Sequence, residues 1–203
     1  MMRLPYKSVC RLTTPYGKKG SWACGWHIGI DLVGINKTIY PIADGIVTRV
    51  GNDGSYGNHV RIQHDNGYIS LYAHLSRIDV KSLQKITTAL PIGIEGSTGN
   101  TSGSHLHLEI HKGAYKYPPK NSSPASCPWL VNPAEALGIE NKIGIVKAPP
   151  ADDAAADQQS VSSWAQKAQA WAKEKGISDG LRPQDNVTRE EIWSMLIRLL
   201  GNK

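Results

Sequence analysis

The sequence predicts a mainly β protein: an antiparallel β-sheet or partly open barrel over residues 1–146, followed by a small α-helical module over residues 164–203. Three observations predict this. From residue 9 to about 113, short segments of alternating polarity are separated by turn signals. No helical period intervenes between them. Beyond Lys147 first the composition and then the period changes.

The β region is punctuated at residues 14–20 (TPYGKKG), at Asp44-Gly45, at residues 51–58 (GNDGSYGN), at Asp65-Asn66-Gly67 and at residues 96–104 (GSTGNTSGS). Segments Arg61–His64 and Tyr68–Tyr72 read as two strands joined by Asp65-Asn66-Gly67, whose glycine and Asx residues suit a tight hairpin. Strands at this spacing argue for an antiparallel sheet or a barrel that closes only partly. Residues 128–138 (PWLVNPAEALG) read as a closing loop with one short helical turn.

Residues 147–163 are rich in Ala, Pro, Asp, Gln and Ser and lack apolar periodicity, the composition of a linker. Trp164, Ala168, Trp171 and Ala172 then fall at helical spacing, and Gly176 suits a C-cap. A second helix opens at Thr188-Arg189-Glu190-Glu191, a capping-box pattern, with Ile192, Trp193, Met195, Leu196, Leu199 and Leu200 as its apolar stripe. Some 40 residues of helix–turn–helix bury little core alone, so this module is expected to dock or to self-associate.

Composition excludes several classes. With 40% hydrophobic and 20% charged residues among 203, the chain is globular rather than disordered. No apolar run reaches the ~18–20 residues of a membrane-spanning helix, so no membrane insertion is expected. The first residues, MMRLPYKSVC, carry positive charge but no apolar stretch, so no secretory signal is read. Residues 147–203 hold eight basic and eight acidic groups, which leaves the whole net charge of +6 on residues 1–146. A basic surface favours polyanions, whether nucleic acid, anionic lipid headgroups or phosphate-bearing wall polymers, or serves solubility alone, so charge does not decide the function. No basic stripe interleaved with aromatics is present, so no nucleic-acid partner is expected. Cys10, Cys24 and Cys127 make neither a disulfide framework nor a thiolate metal site; they read as free packed residues, with Cys10–Cys24 pairing as the alternative in an oxidising compartment.

Chemistry concentrates in the histidines. His27-Ile28-Gly29-Ile30-Asp31, read as a strand, places His27 and Asp31 on one face with only Gly29 between them. His105-Leu106-His107-Leu108-Glu109-Ile110-His111 alternates at period two, with His105, His107, Glu109 and His111 on one face and the aliphatics on the other. A helix with His107 and His111 as zinc ligands is rejected on that alternation, and H-E-x-x-H is absent. Tyr72-Ala73-His74-Leu75 ends the strand after the hairpin. His59, His64 and His111 read as surface or hydrogen-bonded residues. Two strands that each present nitrogen and oxygen ligands of the kind zinc prefers point to metal binding.

These motifs closely resemble the lysostaphin-type, LytM-like (β-lytic) zinc metallopeptidases, which are peptidoglycan endopeptidases. The resemblance covers residues 9–137 and includes Pro41-Ile42-Ala43-Asp44-Gly45, Gly57-Asn58-His59-Val60, Gly96-Ser97-Thr98-Gly99 and Val131-Asn132-Pro133. It implies Zn2+ held by His27, Asp31 and His107, a fourth position for water, and His74 and His105 as catalytic groups. Three protein ligands plus water is the catalytic arrangement of zinc. No glutamate stands in an obvious general-base position, so one histidine accepts the proton of water and the other donates. Glu109 reads as supporting or solvated. Relatives that activate other wall hydrolases usually lack zinc ligands, whereas none is missing here. With few residues ahead of the domain, an open site is expected, and loops 14–26 and 113–128 are expected to shape the substrate groove.

The C-terminal segment resembles a single S-layer homology motif, in Trp164-Ala165, Trp171-Ala172, Gly176-Ile177-Ser178-Asp179-Gly180 and Val187-Thr188-Arg189-Glu190. This resemblance implies binding of a wall polymer, teichoic or secondary, through Arg189, with Trp164 as a further contact. That family usually carries three copies and this chain has one. The expectation is a modular hydrolase of bacterial peptidoglycan, acting at the cell wall as an endolysin released from the host cytoplasm during phage lysis of a Gram-positive host. The alternative is a non-catalytic wall-binding or hydrolase-activating module.

Overall fold

A computed structural model describes residues 2–147. The linker and helical module expected beyond Lys147, with Trp164 and Arg189, lie outside the described residues.

The sequence's alternating segments become twelve strands: β1 (Cys10–Thr14), β2 (Ile30–Gly34), β3 (Thr38–Ile39), β4 (Gly45–Asp53), β5 (Gly57–His64), β6 (Tyr68–Ala73), β7 (Arg77–Ile78), β8 (Lys85–Ile86), β9 (Gly93–Ile94), β10 (Leu106–Lys112), β11 (Leu130–Val131) and β12 (Gly144–Val146). A large antiparallel sheet runs β12-β1-β2-β10-β6-β5-β4-β8, with β11 added to β10. Among the described residues a second, small sheet runs β3-β9-β7. The mainly β, antiparallel class is therefore as expected. One short helix, α1 (Pro133–Ala136), forms where a helical turn is expected, with Asn132 accepting from the Ala134 amide as its N-cap.

The β5–β6 hairpin turns on Gly67 at φ +81°, a left-handed conformation that costs glycine little. Asn66 Oδ1 accepts from the Tyr68 amide at 3.2 Å. Between β4 and β5 the chain turns at Gly57, φ +58°, where an added Cβ would meet the Thr98 carbonyl carbon at 2.4 Å. Only glycine permits this approach, which seats the 96–99 segment against the β4–β5 turn.

The main core lies on one face of the large sheet and includes Leu12, Ile30, Leu32, Ile62, Tyr72, Leu106, Leu108 and Ile110. Strand β10 runs through the middle, between β2 and β6, and is buried on both faces. Its aliphatic face enters the core; its other face carries His107, Glu109 and His111, all buried. A second cluster of Cys24, Ile28, Cys127 and Leu130, flanked by Tyr16, Trp26 and Trp129, ties the segment before β2 to the segment after β10. All three cysteines are buried and free, which removes the Cys10–Cys24 alternative from this structure.

A candidate metal centre on the middle strands

Strand register assembles the site. Across β2 and β10, Asp31 stands opposite His107, and across β10 and β6, His107 stands opposite Ala73, the residue before His74. Residues directly opposite in an antiparallel pair have Cβ atoms ~5 Å apart, so ligands from different parts of the chain converge. His27 departs from the sequence reading: β2 begins at Ile30, so His27 precedes the strand rather than sharing a pleat with Asp31. The backbone bonds His27 N to Lys18 O and Gly17 N to His27 O fold it back over Asp31. Gly29 makes room, since a Cβ there would meet Leu108 O at 2.5 Å and the His107 ring at 2.8 Å.

Three donor atoms result. His27 Nε2, Asp31 Oδ1 and His107 Nδ1 form a triangle with every side 3.0 Å. The outer nitrogens settle the tautomers. His27 Nδ1 lies 3.0 Å from Pro15 O, and a carbonyl only accepts, so Nδ1 carries the hydrogen and Nε2 keeps its lone pair. His107 Nε2 donates to Glu109 Oε1 at 3.0 Å, which leaves Nδ1 free to ligate. Lone pairs meeting in one small buried volume repel unless something positive lies among them. Tetrahedral zinc, with ligands at ~2.0–2.1 Å, sets its donors ~3.3 Å apart, close to the triangle found. The donor set fits a zinc ion.

Electrostatics agrees. Burial works to raise the Asp31 carboxyl, but the His107 and His27 imidazoles packed against it outweigh that and hold the group well below the carboxylate range. Burial works against a charged His107, yet its hydrogen bonds to Asp31 and Glu109 push it up to about 10. A proton therefore occupies the triangle when no cation does. Glu109 is depressed to about 2, its burial overcome by His107 and His111.

Two further imidazoles face the triangle. His105 lies 2.8 Å from Gly103 O through Nδ1, which makes Nδ1 the donor, and its Nε2 stands 3.6 Å from Asp31 Oδ1. His74 donates from Nδ1 to Thr98 O at 2.8 Å. The His74 and His105 ring centroids are 4.7 Å apart, and His74 lies 5.9 Å from His107. His74 has φ +64°, an uncommon conformation for a residue with a side chain, and its amide donates to Tyr56 O. Burial pushes the His74 imidazole down to about 4, so it stays neutral near pH 7. Of the residues singled out in the sequence, His27, Asp31, His74, His105 and His107 thus lie together.

Several partners escape sequence reasoning. Glu109 sits at 0% exposure and accepts from Tyr56 Oη at 2.5 Å and from His111 Nε2 at 2.8 Å. Tyr115 Oη donates to Tyr56 Oη, and its ring lies under the Arg61 guanidinium. Of the two sequence readings of Glu109, supporting or solvated, the structure agrees with the first: it is a buried acceptor for His107. His59, His64 and His111 are all buried and hydrogen-bonded; none is a surface histidine. No local pattern marks Tyr56, which bonds Glu109 directly, or Tyr115, which bonds Tyr56. Loops 14–26 and 113–128 both contribute to a cavity of about 590 Å3 lined by Lys19, Gly25, Trp26, Asn121, Ser122, Ser123 and Ser126.

Comparison with known proteins bears on the family and the fold. Residues 25–119 match Peptidase family M23. The peptidoglycan DD-endopeptidase ShyA of Vibrio cholerae is 42% identical over 85 residues, 41% of this chain and 20% of that protein. The murein hydrolase activator NlpD of Salmonella dublin is 40% identical over 88 residues, 42% of this chain and 23% of that protein. The chain thus spans about a fifth to a quarter of these relatives' length. The catalytic domain of lysostaphin from Staphylococcus simulans superimposes with a TM-score of 0.53 at 24% identity, over 62% of this chain and 90% of that one, and shows the same fold.

Proposed function

We propose that this chain, built around an M23-type peptidase domain, is a zinc-dependent endopeptidase that hydrolyses peptide bonds in the stem or cross-bridge of bacterial peptidoglycan. The observation that carries the reading is the 3.0 Å triangle of three lone-pair donors with two more imidazoles turned towards it. The likeness to ShyA supports the substrate class.

His27, Asp31 and His107 would hold the zinc, which when bound would polarise the scissile carbonyl and make water a better nucleophile near neutral pH. His74 and His105 carry the proton transfers. Burial keeps His74 neutral, the state needed to accept a proton from the attacking water. Thr98 O and Gly103 O hold both Nδ1–H groups so that each Nε2 is available: one accepts the proton of water, and the other donates to the oxyanion or leaving amine only in its imidazolium form. Pro15 O and Glu109 keep the two ligating imidazoles in their binding tautomers.

The finer reading adds a phage endolysin working on a Gram-positive wall. Residues 147–163 would serve as linker, and residues 164–203 as a module that binds wall polymer through Arg189 and Trp164. The linker composition and the excess positive charge on residues 1–146, suited to anionic wall polymers, support it. A second reading, a hydrolase activator without activity of its own, is favoured by the likeness to NlpD.

One experiment separates them. Metal analysis is combined with turbidity loss of purified peptidoglycan, with and without chelator, for the wild type and His107→Ala. About one zinc per chain, with lysis lost on chelation and in the variant, is expected. Stoichiometric zinc without release of peptides from Gram-positive or Gram-negative walls would refute the enzyme and promote the activator.

A further inference from the structure

Asp31, Glu95 and Glu109 are the buried carboxylates among the described residues, and Glu95, at 2% exposure, is the one that no part of the proposed chemistry uses. Four donors from three remote segments converge on it. Tyr6 Oη and the Gly34 amide donate to Oε2 at 2.6 and 2.9 Å; Lys37 Nζ and Ser104 Oγ donate to Oε1, the serine at 2.8 Å. Burying an ionised carboxylate is costly unless its lone pairs are filled, and here they are. Those hydrogen bonds hold the carboxyl below its ordinary value against the opposing effect of burial.

The location gives this anchor a role. Glu95 immediately precedes the 96–104 loop and Ser104 ends it, and the residues next to them pair as well: His105 N donates to Gly96 O at 2.9 Å. The side-chain bond and the backbone bridge close the loop at its base, immediately before His105. The enclosed GSTGNTSGS is glycine- and serine-rich, so the ordering of its ends falls to this clamp. The same stretch touches His74, since Ser76 Oγ donates to Glu95 O and Thr98 O accepts from His74 Nδ1.

We propose that Glu95 is a positioning residue for the reaction, acting through Ser104 to fix the His105 imidazole relative to His74 and Asp31. The proposal rests on the endopeptidase reading for its kinetic consequence, while the clamp itself is a property of the fold. Its two branches are separable. Tyr6 and Gly34 tie the carboxylate to the sheet, whereas Ser104 carries its side-chain branch towards His105, beside the backbone bridge from Gly96.

Glu95→Gln leaves one oxygen for four donors. In either amide orientation an NH2 faces a group that only donates, the Gly34 amide or the Lys37 ammonium. Ser104→Ala removes the branch to His105, together with the hydrogen bond Ser104 Oγ accepts from Lys37 Nζ at 3.0 Å, and leaves the carboxylate three partners. The experiment measures kcat and KM on a cross-linked muropeptide, zinc content, melting temperature and amide hydrogen exchange at His105. Ser104→Ala is expected to lower kcat about tenfold or more with KM within about twofold, as misplaced catalytic groups do. Zinc content and melting temperature should hold, and His105 amide exchange should quicken about tenfold. Ser104→Thr, which keeps the hydroxyl, should restore both kcat and exchange. Tyr6→Phe should lower the melting temperature and leave kcat alone. Wild-type kcat and wild-type His105 exchange in Ser104→Ala would overturn the proposal and leave Glu95 a purely structural anchor. Should Glu95→Gln not fold, the serine pair decides. Should the wild type cleave no muropeptide, the endopeptidase reading falls, and unchanged His105 exchange in Ser104→Ala would still refute the clamp.

Discussion

Replacing Glu109 by Gln should weaken zinc binding without touching a zinc ligand. In the native site Glu109 Oε1 accepts from His107 Nε2 at 3.0 Å and from Tyr56 Oη, while Oε2 accepts from His111 Nε2 at 2.8 Å. Glutamine can keep its carbonyl towards His107, but its amide then donates towards His111. That forces the His111 hydrogen onto Nδ1, which is buried and has no partner. Two costs follow. A charge-assisted hydrogen bond becomes a neutral one, and a buried donor is left unmet, each about 1–2 kcal/mol. The hydrogen bond to His107 Nε2 is also what selects the ligating tautomer. Loss of its charged acceptor should lower zinc affinity about 10- to 100-fold, the usual scale for partners of metal ligands, or about 1.4–2.7 kcal/mol. Competition against a chromophoric chelator at pH 7.5 reads this directly, with the melting temperature of the metal-free protein as control. Zinc affinity within twofold of wild type would refute the argument that Glu109 sets the His107 tautomer.

Other perturbations have equally definite outcomes. Because His107 without metal is raised to about 10, zinc must displace its proton. Apparent affinity should therefore fall about tenfold for each pH unit of acidification below that value, and calorimetry in buffers of different ionisation enthalpy should find about one proton released per zinc. Asp31→Asn, which removes the one anionic ligand, should strip zinc to below about one tenth stoichiometry and abolish lysis, as checked by metal analysis. Glu109, with its folded value depressed to about 2, contributes stability that is present above its unfolded value of ~4.3 and lost as pH falls through the folded one. Melting curves of the metal-free protein should thus fall steeply between about pH 4 and 2, and more shallowly in Glu109→Gln. Gly57→Ala combines a left-handed backbone with a Cβ 2.4 Å from the Thr98 carbonyl carbon and should cost about 2 kcal/mol or more in urea unfolding.

How much of this was legible in the sequence depended on whether the relevant interaction is local. The β5–β6 hairpin could be read because Asn66 and Gly67 encode its turn within three residues. The alternation of Leu106, Leu108 and Ile110 with His107, Glu109 and His111 named the two faces of β10 before any fold was known. The composition could not say that both faces would be buried, which is why the sequence left His111 open between surface and hydrogen-bonded and Glu109 between supporting and solvated. The His27–Asp31 spacing singled out two residues that do lie together, although a backbone fold-back by residues 17–27 brings them there rather than a strand pleat. Tyr56, Tyr115 and Glu95 left no trace. Their partners stand 53, 59 and 89 positions away along the chain, and only the assembled sheet sets those distances.

Strand β10 also makes the centre resistant to one kind of error. A strand paired one residue out of place turns every side chain to the opposite face. For β10 that would drive His107, Glu109 and His111 into the aliphatic core and bring Leu106, Leu108 and Ile110 under the loops. Such a slip would bury polar groups without partners at several kcal/mol each, so it is not a low-lying competitor of the native pairing. The ligand opposite Asp31 is thus proofread by the hydrophobic core on the strand's other side, and a chain that has folded at all has its donor atoms in register.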